Sequence, residues 1–126
     1  MLTENEVVDT MCDWLRGQGY GIESCCHDTE RGDDIVAVAQ GSRRLHVECK
    51  GAVSRKGNRI NAWREAGGAL FNAIRDIEKP GQPDDVAVAF PDVVDYHNVM
   101  DGLESFCKRE KLLVYWVNEN RSVRKW

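Results

Sequence analysis

The chain has 126 residues, 42% hydrophobic and 30% charged, with a formal net charge of −4. That balance suits one folded domain spanning 1–126; it excludes a disordered chain and a protein that coats nucleic acid through charge alone. No apolar run approaches the roughly 18 residues of a membrane span. The acidic start, Met1 to Glu6, carries no signal-peptide pattern. Five cysteines without a C-x-x-C fit a reducing cytoplasm, with Cys12, Cys49 and Cys107 as buried small hydrophobes.

Thr3 and Glu6 form a capping-box pattern, so a first helix is predicted to start there, with Val7, Val8, Met11, Trp14 and Leu15 at helical spacing. Gly17 and Gly19 end it. Tyr20 to His27, Asp34 to Ala39 and Arg43 to Lys50 read as three strands. The last two are joined by the turn Gln40-Gly41-Ser42. The next stretch, Gly51 to Asn58, reads as a flexible loop. A long helix is predicted over 60–77, with an apolar stripe of Ile60, Trp63, Leu70, Ile74 and Ile77. Gly67 and Gly68 within it suggest close approach to a sheet. After the break at Lys79-Pro80-Gly81, a buried strand over 85–90, a helix from 91 or 92 to about 111, a strand over 112–117 and a short final strand complete the order. Trp63, Trp116 and Trp126 read as core or interface. The pattern αβββαβαβ(β) implies a mixed sheet flanked by helices.

The chemistry concentrates on the second and third strands. A three-residue loop pairs Ala39 with Arg43, which puts Asp34 across from Glu48; Lys50 shares the face of Glu48. An even loop would send the two acids to opposite faces. Two adjacent carboxylates repel unless a proton or cation lies between them, and oxygen donors suit Mg²⁺ or Mn²⁺. A lysine beside them can orient water or offset phosphate charge. The competing reading is a strand-start acid and a rim ion pair. Cys25 and His27 share a strand face but lack the further ligands of a zinc site. His46 aligns with Val36, as a half-exposed strand histidine.

Asp33-Asp34-Ile35-Val36-Ala37 followed by His46-Val47-Glu48-Cys49-Lys50-Gly51 resembles the PD-(D/E)XK nuclease superfamily, with Asp33 standing at the proline position. The order of elements over roughly residues 3 to 117 is similar to the family core, and to its Holliday-junction-resolvase and Mrr-like branches. The resemblance implies an α/β, restriction-endonuclease-like αβββαβ core with a mixed central sheet. It also implies an endonuclease that hydrolyses DNA phosphodiesters with a water activated by Mg²⁺ or Mn²⁺. Asp34 and Glu48 would be metal ligands, joined by the Cys49 carbonyl, and Lys50 would position or activate the water. The first-helix glutamate used by many members falls to Glu4 or Glu6. Glu4 is preferred because it projects toward the face of Val7, Val8 and Met11. Arg55, Lys56 and Arg59 would contact DNA phosphates. No Q-x-x-x-Y follows the lysine strand, which leaves Arg64 or Asn61 as substitutes. So small a domain has little surface for sequence readout, so specificity would come from a homodimer, a larger complex or DNA structure. The alternative is a non-catalytic nucleic-acid-binding or protein-interaction subunit of the same fold. The intact Asp34, Glu48 and Lys50 favour the enzyme.

Overall fold

A computed structural model describes residues 1–25, 34–39, 41, 43–81 and 84–126. The elements are α1 (Glu4–Gly17), β1 (Gly21–Cys25), β2 (Ile35–Val38), β3 (Arg44–Cys49), α2 (Ala62–Ile77), β4 (Asp85–Pro91), α3 (Val94–Met100), α4 (Glu104–Arg109), β5 (Leu112–Val117) and β6 (Val123–Lys125). One six-stranded sheet runs in chain order. Antiparallel pairs join β1 to β2 and β2 to β3; β3, β4 and β5 are parallel; β6 returns antiparallel on β5. Among the described residues no helix is long and apolar enough to cross a membrane.

Side-chain alternation along the strands builds two cores. Leu45, Val47, Cys49, Ala87 and Ala89 pack beneath Val7, Val8, Met11 and Leu15 of α1. On the other face Val86, Val88, Phe90, Val114 and Trp116 meet α2, α3 and α4. Cys12, Cys49 and Cys107 are buried, as expected. The Thr3–Glu6 capping box closes in both directions and fixes the start of α1.

Three expectations need correction. The buried face of α2 is Ala62, Ala66, Ala69 and Ala73; Trp63 is 75% exposed and Ile74 43%. Small side chains let the helix lie close on the strands; Trp63, Phe71 and Ile74 turn outward, while Leu70 and Ile77 pack partly buried against the core. Gly67 and Gly68 therefore do not mediate that approach, since a Cβ on either would meet nothing within 4 Å. Third, the helix predicted from 91 or 92 to about 111 is two helices. The chain turns at Asp101-Gly102, where Gly102 has φ +81°. Trp116 is core, as expected.

This packing carries a prediction. Gly67→Ala and Gly68→Ala should each stabilise the fold by about 0.5–1 kcal/mol, because alanine restrains the unfolded chain and meets no steric obstacle. Ala69→Leu should cost about 1–3 kcal/mol through overpacking. Urea denaturation of the three variants measures both signs.

Beyond β4, Asp92 pairs with His97, whose ring stacks on Trp116, and with Arg124 at 3.5 Å. The His97 hydrogen bond holds the Asp92 carboxyl below its ordinary range; burial opposes this and Arg124 reinforces it. Because the folded value lies below the unfolded one, the pairing stabilises fully above the unfolded carboxylate pKa and is lost as pH falls through the folded value. Asp92→Asn should therefore flatten the acid limb of a Tm-against-pH curve below about pH 4.

Candidate active site

The β2–β3 register is Ile35 with Val47, Val36 with His46, Ala37 with Leu45 and Val38 with Arg44. The amide of Ala39 reaches the carbonyl of Arg43 at 3.4 Å, so the pairing continues to the turn with the expected odd parity. Gln40 and Ser42 lie outside the described residues, as do Asp33 and His27. The paired register ends at Ile35 and Val47; carried one step outward, it sets Asp34 across from Glu48. Asp34 Oδ2 accepts the Cys49 amide at 2.7 Å, which fixes the carboxylate beside the peptide that links Glu48 to Cys49.

Lys50 Nζ lies 3.7 Å from Glu48 Oε1 and 3.4 Å from Glu65 Oε2, with its side chain 17% exposed. Burial alone would lower the pKa of this ammonium. The charges of Glu4, Glu48 and Glu65 outweigh burial and hold it above the ordinary lysine value. Lys50 is therefore a cation, suited to orienting water or offsetting negative charge and unsuited to accepting a proton.

Glu4 reaches this cluster because of Gly51. A Cβ on Gly51 would lie 2.3 Å from the Glu4 amide nitrogen and 2.7 Å from the Thr3 carbonyl carbon. The chain leaving β3 thus runs directly against the start of α1. Ala52 and Val53 donate to the Leu2 carbonyl at 2.8 and 3.3 Å, and Thr3 bridges Val53. Glu6 is committed elsewhere, to the capping box and to Arg121 at 3.0 Å. Of the two first-helix acids, Glu4 is the one whose charge acts at Lys50.

Sequence reasoning missed Glu65 and Tyr96. Glu65 lies in the first turn of α2, where acids are common for helix-dipole reasons, so it gave no distinct signal. Tyr96, 1% exposed on α3, donates to the Gly51 carbonyl at 2.6 Å. Burial pushes its phenol up, with Glu65 and Glu4 adding to the effect. Gly51 is thereby held between α1 and α3, one residue beyond Lys50.

The remaining expected residues distribute differently. Cys49 turns its thiol into the core beneath α1, where burial raises its pKa well above the usual value, so only its backbone faces the acids. His46 turns to Asp84 at 2.8 Å. Arg55 and Lys56 sit on an exposed turn that is stitched together and is not a loose loop. Val53 bridges Arg59, Ser54 donates to the Asn58 carbonyl at 2.8 Å, and Gly57 turns the chain at φ +86°. Arg59 is paired with Asp95 at 2.8 Å. Arg64 points to solvent, 3.7 Å from Glu65 Oε1, while Asn61 caps α2; neither replaces the missing glutamine, and Glu65 occupies that side of Lys50.

Among the described residues, no three His, Cys, Asp or Glu side chains are arranged to hold a metal by themselves. The donor set the chain offers is two strand carboxylates, Asp34 and Glu48. That set fits Mg²⁺, which commonly takes one or two protein carboxylates and completes its shell with water and phosphate oxygens.

No family model and no curated protein matches the sequence. Solved structures do match. An XisH family protein from Nostoc punctiforme is similar over 98% of this chain and 97% of its own, with a TM-score of 0.60 at 17% identity. A fdxN element excision controlling factor protein from Anabaena variabilis is similar over 98% and 96%, with a TM-score of 0.59 at 19% identity. The chain shares their fold. At these identities the likeness establishes architecture: the mixed α/β core expected from the sequence, spanning nearly all of each neighbour.

Proposed function

We propose that this protein is a divalent-metal-dependent nuclease of the PD-(D/E)XK type that hydrolyses DNA phosphodiester bonds. The observation that carries the reading is the convergence of Asp34, Glu48 and Lys50 on one sheet face, with Glu4 brought in by the contact at Gly51. Such clustering of charge on strands is costly without a function that needs it.

Asp34 and Glu48 would hold Mg²⁺ or Mn²⁺, and the Cys49 carbonyl would join them. The ion supplies a lowered pKa for bound water and charge compensation for the phosphate. The chain's own groups do the rest. The Cys49 amide fixes the Asp34 carboxylate. The Lys50 ammonium orients a water and offsets charge on a phosphate oxygen. Glu65 and Glu48 keep it protonated and in place. Arg55 and Lys56, on the turn that follows β3, supply phosphate contacts that position the backbone.

A second reading is a DNA-associated control protein that keeps the fold without cleavage. It is favoured by the description of the Anabaena neighbour as an excision controlling factor and by the pairing of Lys50 with two glutamates. The test is incubation of plasmid and branched DNA with the protein and Mg²⁺ or Mn²⁺, with a chelator control. Metal-dependent cleavage is the expected result. Retention of DNA without cleavage, together with no heat on Mn²⁺ titration, would select the second reading.

A further inference from the structure

On the sheet face opposite the acidic cluster, two cysteines from different elements meet. Cys12 lies on α1, 2% exposed, and Cys25 is the last residue of β1 and partly exposed. Their sulfurs are 3.1 Å apart, about 1 Å farther than a disulfide bond. We propose that Cys12 and Cys25 form a reversible disulfide in response to a hydroperoxide, stapling α1 to β1.

The chemistry follows from exposure. Cys25 is the sulfur that solvent reaches. Its thiol attacks the peroxide, the O–O bond breaks, and Cys25 becomes a sulfenic acid while the peroxide leaves as an alcohol or water. Cys12 then attacks the sulfenic sulfur. An S–S bond forms, the S–O bond breaks, and the hydroxyl leaves as water with the Cys12 proton. The two sulfurs together lose two electrons, which the peroxide takes up, and a dithiol reverses the change. Cys12 is shielded from peroxide, and burial first, then Cys25, pushes its thiol up to about 12; its sulfur, 3.1 Å from that of Cys25, makes it the resolving partner, and oxidation of Cys25 removes the second of those two effects.

The position gives the staple a consequence. Cys25 pairs across the sheet with Ile35, the neighbour of Asp34, and α1 carries Glu4 at its start. Oxidation would covalently join the helix that carries Glu4 to β1, the strand paired with the one that follows Asp34. The inference itself does not depend on the nuclease reading.

The test uses the full chain treated with stoichiometric hydrogen peroxide under native conditions. Intact mass should fall by two hydrogens, and peptide mapping should link Cys12 to Cys25. The link should persist in Cys107→Ser and Cys26→Ser and vanish in Cys12→Ser and Cys25→Ser. In the wild type, Tm should rise by about 5–10 °C and return after dithiothreitol, because a short loop has been closed. An unchanged mass, a bridge that maps to Cys26 or Cys49, or a bridged protein with unchanged Tm overturns the proposal. The wild-type measurements decide even where a serine variant fails to fold.

Discussion

Glu48→Gln is expected to lower metal-dependent DNA cleavage by on the order of 10³-fold or more, with the fold retained. Glutamine keeps the shape of the side chain and removes its charge. The variant loses one of the two carboxylates proposed to hold the metal and one of the anions that hold Lys50 protonated. Asp34→Asn should act similarly, because the Cys49 amide would keep the side chain in place while its charge is gone. Lys50→Met should cost roughly 10²–10³-fold, the usual scale for one preorganised electrostatic group. Glu65→Gln should be milder, since Glu4 and Glu48 still support the ammonium. Circular dichroism and urea midpoints separate lost chemistry from lost structure, and Mn²⁺ calorimetry reads the metal step alone. Equal cleavage by wild type, Glu48→Gln and Lys50→Met would point to a contaminating nuclease and remove the basis for the assignment.

Gly51→Ala should be among the most damaging single substitutions in the chain, at about 2–4 kcal/mol and a Tm lower by about 10 °C. Its new methyl would lie 2.3 Å from the Glu4 amide nitrogen and 2.7 Å from the carbonyl carbon of Thr3, the N-cap of α1, and neither can rotate away as a side chain could. Gly51 is not among the residues at positive φ, so the glycine is required for space and not for conformation. Gly17→Ala is the matched control, with nothing within 4 Å of the added carbon, and should be close to neutral. If the two variants melted alike, the close approach of α1 to the β3 exit would be wrong. Where Gly51→Ala still folds, Glu4 would be displaced from Lys50, so activity should fall further than stability explains.

Local rules made much of this protein legible. The Thr3–Glu6 box is a short-range pattern with a single geometric outcome, and the structure realises it. Hairpin parity is equally local: an odd loop puts Asp34 and Glu48 on one face, and the observed register agrees. The alanine face of α2 was not legible. Hydrophobicity alone points to Trp63 and Ile74, whereas close packing on a sheet selects the small residues between them. The break at Gly102 is visible as a glycine, but nothing local shows that the chain must turn there at positive φ.

The amino-acid sequence by itself determined the order of elements, the acids and lysine on two adjacent strands, and the parity that aligns them. These follow from turn length, strand alternation and capping, which operate within a few residues. Only the tertiary structure decided that Glu4 and not Glu6 serves Lys50, that Glu65 completes its anionic surroundings, and that Tyr96 and the start of α1 hold Gly51. Those contacts join segments far apart in the chain. They depend on how α1 settles on one face of the sheet and α2 and α3 on the other, and no local periodicity encodes that.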